Sequence, residues 1–179
     1  AAYVKYVRPG VKVIAVESDD AASLDAAMKA GRPVRLKEVG IFADGTAVAQ
    51  VGTENFRILK DLVDEVIIVS TDEICAAIKD VYNDTRAICE PSGAMGTAGL
   101  KKYVEKNGVQ GQTLVAVLCG ANIDFDRLRY ISERTEIGEK REAILAVTLD
   151  EKPGSFRNFC KAIGRRTISE FNYRYSDSQ

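Results

Sequence analysis

The chain has 179 residues and, with 25 basic and 26 acidic side chains, a formal net charge of −1. This length corresponds to one globular domain, or to one domain and part of another. Hydrophobic residues make up 46% and charged residues 28% of the sequence, which is typical of packed proteins and excludes a disordered chain. The near-neutral charge argues against a nucleic-acid or membrane-surface partner. No apolar run approaches the roughly 20 residues of a membrane span.

The sequence contains no His and four Cys. Without His there is no Ser-His-Asp or Cys-His relay, no His-ligated metal site and no imidazole pH switch. The cysteines are widely separated and form no C-x-x-C pair, which argues against a zinc site. Their apolar or helical surroundings predict reduced, buried thiols, as in cytoplasmic proteins. These cysteines are Cys75, Cys89, Cys119 and Cys160.

In chain order, the first half of the sequence alternates predicted helices and strands. Tyr3, Val4 and Val7 form the apolar stripe of a short helix. The elements that follow are a strand over 11–16 ending at Glu17, a helix over 21–30, a loop over 32–45, a helix over 53–61 and a strand over 65–69. Asp19 or Asp20 is the predicted cap of the helix over 21–30, which Gly31 ends.

The next segment continues the alternation. Ser70 and Glu73 have the spacing of a capping box ahead of a helical apolar pattern. A helix is predicted over 92–106, and a buried strand over 113–118 ends at Cys119. Short, nearly all-apolar strands between helices predict an α/β fold with a parallel sheet covered on both faces. Ligands of such sheets bind beyond the carboxyl ends of the strands, here at Glu17, Ser70 and Cys119–Gly120.

The character of the sequence changes after Asn122. Residues 124–141 are rich in charge and are predicted to be a connector. A strand over 143–149, a turn over 152–154, a helix over 156–163 capped by Ser155, and a strand over 168–175 follow. Because a single βαβ unit cannot bury its sheet face, this second domain is expected to be incomplete.

Three loops contain candidate functional residues, and each also has a purely structural interpretation. Asp44-Gly45 is a common turn dipeptide, and Glu90-Pro91-Ser92 can start a helix with Ser as cap. Cys119 can be a packed small hydrophobe. Alternatively its thiol, at the end of a buried strand, can hold an uncharged ring nitrogen, while Gly120 lets a flat ligand approach the backbone.

Five segments in order give the chain a family resemblance: 13–17, 40–48, 87–94, 118–122 and 129–134. Together they resemble the biosynthetic threonine deaminases (threonine ammonia-lyases), which are fold-type II pyridoxal-phosphate enzymes. The resemblance implies the C-terminal part of such a catalytic domain over 1–123, a neck over 124–141, and the first βαβ of an ACT-like regulatory domain over 142–179. It also implies a cytoplasmic, tetrameric enzyme.

The resemblance implies roles for individual residues. Cys119 would face the pyridine nitrogen of pyridoxal phosphate with Gly120 beside it, and Gly45 and Glu90 would lie next to the ring. Gly154 and Ser155 would be part of a pocket for isoleucine or valine, although turn and cap chemistry explains them equally well. Glu17 and Ala21 match cation-binding positions of related serine racemases. Ser23 replaces the usual third acidic ligand there, so no metal site is predicted.

The family's activity is the deamination of threonine to 2-oxobutanoate and ammonia, the first step of isoleucine biosynthesis, with feedback by isoleucine. The Schiff-base lysine of the family has no counterpart among the lysines of this sequence, so we expect it to precede residue 1 and the chain alone to be inactive. Two alternatives stay open. One is a serine dehydratase or serine racemase relative, and the other is a non-catalytic amino-acid-sensing module.

Overall fold

The computed structural model describes residues 1–174, which form two compact units, Ala1–Ala143 and a unit that begins at Ile144. Helices and strands alternate through most of the first unit. In order they are α1 (Ala2–Val7), β1 (Ile14–Ser18), α2 (Ser23–Ala30), α3 (Thr53–Leu59), β2 (Glu65–Val69), α4 (Thr71–Thr85), α5 (Pro91–Asn107) and α6 (Arg127–Gly138). A turn of 3-10 helix spans Asp44–Thr46. The second unit contains α7 (Ser155–Ile163).

The sheet consists of β1 and β2, which pair in parallel with Ile14 opposite Glu65 and Ser18 opposite Val69. The backbone N–H of Asp19 donates to the carbonyl oxygen of Val69 at 2.9 Å, just beyond the ladder. The predicted α/β fold with a parallel sheet is therefore confirmed. Since both strands run the same way, their carboxyl ends lie at one edge of the sheet, where such folds place ligands.

The main hydrophobic core lies between β2 and the helices α4 and α5. Val69, Ile74, Cys75, Ala77 and Ala94 are completely buried in it. Burial of a valine or isoleucine side chain stabilises the fold by roughly 1.5–3 kcal/mol, so this cluster fixes α5 against the sheet. A smaller cluster packs α2 against α3 and consists of Leu24, Ala27, Val51 and Phe56.

The predicted N-cap of α4 is confirmed, whereas the predicted N-caps of α2 and α7 are wrong. The capping box of α4 is confirmed, since Ser70 Oγ accepts from the Glu73 N–H at 3.2 Å and Glu73 accepts from the Ser70 N–H at 2.7 Å. The prediction that Asp19 or Asp20 caps α2 is wrong, because the N-cap residue is Ala22 and makes no side-chain bond. Ser155 is also not a cap, since it is the first residue of α7.

Three predicted strands have no ladder partner within residues 1–174, so these predictions are wrong over the described part of the chain. They are 113–118, 143–149 and 168–174; Tyr175 lies outside the described residues. Their apolar patterns do not specify a neighbour to pair with, and a strand needs that neighbour to form. Without one, Val115, Val117 and Ile144 are exposed rather than buried as predicted. Residues 116–117 instead run beside α5, where a methyl group on Gly96 would stand 3.2 Å from the Val117 carbonyl oxygen.

Most of the charged segment 124–141 is the helix α6, which packs on α4. The buried Thr135 hydroxyl donates to the carbonyl oxygens of Cys75 at 3.0 Å and Ile131 at 2.7 Å. Arg134 Nε forms an ion pair with Asp72 Oδ1 at 2.8 Å. These contacts make α6 an integral part of the first unit. Within residues 1–174 no helix is long and apolar enough to cross a membrane.

Candidate cofactor site

The residues singled out for cofactor binding meet at the N-terminus of α5. Glu90 is the N-cap residue of α5, and its N–H donates to the carbonyl oxygen of Gly120 at 3.1 Å. Glu90 Oε1 lies 1.7 Å from the position that a methyl group on Gly120 would occupy and 4.0 Å from the corresponding position on Gly45. Gly45, Glu90 and Gly120 therefore surround one point in space, with Cys119 bonded directly to Gly120.

Gly120 has a backbone conformation that requires glycine. Its φ is +79°, in the left-handed region that residues with a side chain rarely adopt. The Glu90 carboxylate fills the space where a side chain at Gly120 would stand. As a result, the Glu90 carboxylate lies directly against the exposed backbone at Gly120, next to the Cys119 thiol.

Gly93 lets the first turn of α5 approach the Cys119–Gly120 loop closely. The sequence analysis gave Gly93 no role. A methyl group on Gly93 would stand 1.8 Å from the carbonyl oxygen of Cys119. Any larger residue would therefore push the Cys119–Gly120 loop away from the start of α5. The sequence signal was a glycine inside a predicted helix, but such a glycine identifies the segment it contacts only when the fold is known.

The thiols divide into two buried and two exposed groups. Cys75 and Cys89 are buried, as predicted, whereas Cys119 and Cys160 are exposed and the prediction is wrong for them. Burial raises the pKa of Cys75 to about 12. Burial also raises the pKa of the Cys89 thiol, and the negative charge of Glu90 raises it further. Among these thiols, Cys119 is thus the one at the α5 site that solvent or a ligand can reach.

Ser92 does not act as the helix cap that the sequence suggested. Its hydroxyl is buried and has no hydrogen-bond partner within the described part of the chain. The Ser92 Oγ atom lies 2.9 Å from the position of a methyl group on Gly45. An unsatisfied buried hydroxyl therefore faces the Gly45 side of the candidate site.

Glu17, at the carboxyl end of β1, caps the neighbouring helix with its side chain. Its two carboxylate oxygens accept the backbone N–H groups of Leu24 and Asp25, each at 2.8 Å. Burial raises the pKa of Glu17, while the hydrogen bonds from α2 lower it. Across residues 1–174, no group of three or more His, Cys, Asp or Glu side chains is placed to hold a metal ion. In this structure the Glu17 carboxylate thus serves the N-terminus of α2.

Two open cavities lie elsewhere in the first unit. One, of about 440 Å³, is lined by the acidic residues Asp19, Asp20 and Glu38 and by neighbouring apolar side chains. The other, of about 430 Å³, lies between α4 and α6. Neither includes Cys119 or Glu90 in its lining, so both cavities lie away from the candidate cofactor site.

The candidate effector residues lie in the second unit, in the turn that precedes α7. Gly154 is the N-cap residue with φ of +95°, and its carbonyl oxygen accepts the N–H of Asn158 at 2.9 Å. The N–H of Ser155 donates to the Lys152 carbonyl oxygen at 3.1 Å. Both residues thus have ordinary turn contacts within this unit.

Glycines, a carboxylate and an exposed thiol that meet at a helix N-terminus of a parallel α/β fold are typical of the class of proteins that bind a flat organic cofactor. Comparison with known families agrees. Residues 1–120 match the family described as pyridoxal-phosphate dependent enzyme, and residues 133–179 match the C-terminal regulatory domain of threonine dehydratase. The chain belongs to the pyridoxal-phosphate dependent enzyme family.

Individual relatives confirm the resemblance to threonine deaminases. A biosynthetic L-threonine dehydratase of Burkholderia multivorans is 55% identical over 179 residues, which are 100% of this chain and 35% of that protein. The structure of the processed form of threonine deaminase isoform 2 from Solanum lycopersicum is 41% identical with a TM-score of 0.74, covering 75% of this chain and 39% of that one. Maize serine racemase is 26% identical with a TM-score of 0.63, covering 73% and 42%. The chain spans about a third of the length of the curated relatives it matches.

The residues present fit pyridoxal phosphate, whose ring is flat and carries polar substituents. Gly120 and the Cys119 thiol beside it are both exposed, so a planar group can reach them. The unsatisfied Ser92 hydroxyl offers a hydrogen bond on the Gly45 side. Gly120 provides a surface for the ring, and the Cys119 thiol provides a weak hydrogen-bond donor and acceptor. The Ser92 hydroxyl provides a hydrogen-bond donor for one edge of the ring.

Proposed function

We propose that the chain is part of a pyridoxal-phosphate dependent threonine dehydratase that converts threonine to 2-oxobutanoate and ammonia. The convergence of Gly45, Glu90, Cys119 and Gly120 at the start of α5 carries this proposal. The match of residues 133–179 to the regulatory domain of threonine dehydratase supports this substrate. The same match supports a place for the reaction in isoleucine biosynthesis under feedback control.

In the proposed site, Cys119, Gly45 and Glu90 would hold the cofactor, with the Cys119 thiol toward the ring nitrogen and Gly45 and Glu90 beside the ring. When bound, pyridoxal phosphate supplies the electron sink for bond breaking at the α-carbon of the substrate. A thiol is a weak hydrogen-bonding group, so the proton stays on Sγ and the ring nitrogen stays unprotonated. Cys119 thereby moderates the electron demand of the ring, which favours β-elimination over transamination.

We further propose that the lysine which binds the cofactor covalently lies in the remainder of the protein and that this chain alone is inactive. Four of the lysines, Lys5, Lys12, Lys29 and Lys79, form ion pairs with carboxylates. The relatives, about three times as long as this chain, leave room for that lysine in the part not matched.

The domain boundaries and the regulation also belong to this proposal. Residues 1–123 are assigned to the catalytic domain, 124–141 to a neck, and 142–179 to an ACT-like regulatory domain. The turn at Gly154 and Ser155 is assigned to an isoleucine or valine pocket. We also propose a cytoplasmic homo-oligomer, and the four free cysteines support a reducing compartment.

Steady-state kinetics of the full-length protein with pyridoxal phosphate test the proposed activity. We expect release of 2-oxobutanoate from threonine, with a higher kcat/KM for threonine than for serine, and inhibition by isoleucine. Ser155→Asp is expected to weaken inhibition by isoleucine without changing the uninhibited rate, since it alters only the turn before α7. Absence of 2-oxobutanoate formation by cofactor-loaded protein would contradict the proposal.

A serine racemase or serine dehydratase is the second candidate, favoured by the structural similarity to maize serine racemase. This candidate predicts conversion of L-serine to D-serine or pyruvate at a higher kcat/KM than threonine turnover, and no response to isoleucine. The same kinetic measurements, with chiral analysis of the serine pool, therefore separate the two candidates.

A further inference from the structure

The Ser92 hydroxyl is an unexplained feature of the candidate cofactor site. It is buried, yet no group within residues 1–174 donates a hydrogen bond to it or accepts one from it. More than about nine in ten buried polar groups of native proteins have a partner, because an unpaired one loses its bonds to water without replacement. The Ser92 hydroxyl is therefore available to bond to a polar atom of something that binds next to it.

The surroundings of Ser92 limit where that partner can be. Ser92 lies in the first turn of α5, between Pro91 and Gly93, and Gly93 is packed against the carbonyl oxygen of Cys119. Ser92 Oγ lies 2.9 Å from the position that a methyl group on Gly45 would occupy, and Glu90 Oε1 lies 4.0 Å from the same position. The hydroxyl thus faces the space that Gly45 leaves free beside the Glu90 carboxylate.

We infer that Ser92 is a positioning residue of the cofactor site, whose hydroxyl donates a hydrogen bond to an acceptor atom on the edge of the bound pyridoxal phosphate ring. This inference rests on the proposed function and adds a residue to it. Ser92 fixes the orientation of the ring from the α5 side, whereas Cys119 sets the protonation of the ring nitrogen. Gly45 keeps the approach to the hydroxyl open, since an alanine methyl there would stand 2.9 Å from Ser92 Oγ.

The test compares wild type, Ser92→Ala and Gly45→Ala in the full-length protein, with the cofactor removed and then added back. Absorbance titration gives the dissociation constant of pyridoxal phosphate, and thermal melts give Tm with and without it. We expect Ser92→Ala to weaken cofactor binding roughly tenfold, the usual size of one lost hydrogen bond in a buried site. Gly45→Ala is expected to weaken binding as well, because its methyl group would force the Ser92 hydroxyl to shift.

The sign of the Tm changes distinguishes positioning from a structural role. Without cofactor, Ser92→Ala is expected to keep or raise Tm, because it removes an unsatisfied buried hydroxyl; with cofactor it is expected to lower Tm. Ser132→Ala, an exposed serine on α6, serves as the control and should change neither Tm nor the dissociation constant. Equal loss of Tm in both states, or an unchanged dissociation constant in Ser92→Ala, overturns the inference. Failure of wild type to bind the cofactor overturns the proposed function as well.

Discussion

At the scale of single residues, Cys119 combines exposure with a fixed backbone. Its carbonyl oxygen is held against Gly93 of α5, and the next residue is a glycine with positive φ. A free cysteine is among the most buried residue types, so an exposed thiol on a fixed loop needs an explanation. A ligand that covers the thiol in the working protein provides one.

Replacing Cys119 by Asp tests this role. A carboxylate holds a ring nitrogen in its protonated form, so we expect Cys119→Asp to shift the absorption of the bound cofactor. We also expect turnover to fall at least about tenfold, equivalent to about 1.4 kcal/mol in the activation barrier. Absorbance spectra and initial rates of the full-length protein measure both effects.

Cys119→Ser is the matched control, since a hydroxyl is also uncharged and is expected to preserve spectrum and rate. Cys160→Ser changes the other exposed thiol and should have no effect on the spectrum. If Cys119→Asp matches wild type in spectrum and rate, the thiol does not face the ring nitrogen.

The sequence predicted part of this site. The pattern singled out the loops that contain Gly45, Glu90, Cys119 and Gly120, and the resemblance to threonine deaminases gave these residues their expected roles. Ser92 was interpreted as a cap, since Ser at a helix start usually caps, and only the three-dimensional structure shows its hydroxyl without a partner. A side chain's hydrogen-bond partners depend on tertiary contacts that spacing along the chain does not contain.

At the scale of elements, local signals and pairing signals differ in what they predict. The strand over 65–69 has the predicted bounds, and the α4 capping box forms as the spacing of Ser70 and Glu73 indicates. The capping box depends on residues close in sequence, whereas the strand over 65–69 also has β1 as its partner. The strands expected over 113–118 and 143–149 have no such partner within the described residues, and side chains such as Val115, Val117 and Ile144 are exposed there. An apolar pattern therefore predicts a buried strand only where the fold supplies a neighbour to pair with.

The Glu17 cap makes α2 depend on a side chain from β1. Glu17→Ala removes the acceptor for the Leu24 and Asp25 N–H groups, and we expect it to lower the free energy of unfolding by about 1 kcal/mol, as for the loss of other N-caps. Urea denaturation followed by circular dichroism measures the change. Lys29→Ala removes an exposed ion pair of the same helix and is expected to cost less than about 0.5 kcal/mol. Equal effects of the two substitutions would show that Glu17 does not stabilise α2.

At the scale of the whole molecule, ion pairs between elements link folding to pH. Hydrogen bonds from lysines hold the pKa values of Asp64 and Glu65 below their ordinary values, with Lys5 as the largest cause for Asp64 and Lys106 for Glu65. Burial alone would raise the pKa of Glu73, but hydrogen bonds from the Ser70 N–H and Lys102 outweigh it and lower the pKa below its usual 4.5. These carboxylates therefore bind protons more readily in the unfolded chain than in the folded one.

From this difference we expect the protein to lose stability in acid. Where the unfolded chain binds more protons, stability rises with pH, so the contribution of Glu73 is present above pH 4.5 and is lost as the pH falls through its lowered folded pKa. Urea midpoints measured between neutral pH and about pH 3 should therefore decrease most steeply below pH 4.5. Glu73→Gln keeps the side-chain acceptor of the capping box and removes the titrating group, so its midpoint should decrease less steeply in acid. Glu105→Gln, in the solvent-exposed pair with Lys140, is the control and should follow wild type. A Glu73→Gln curve parallel to wild type would show that the α4 cap does not link folding to pH.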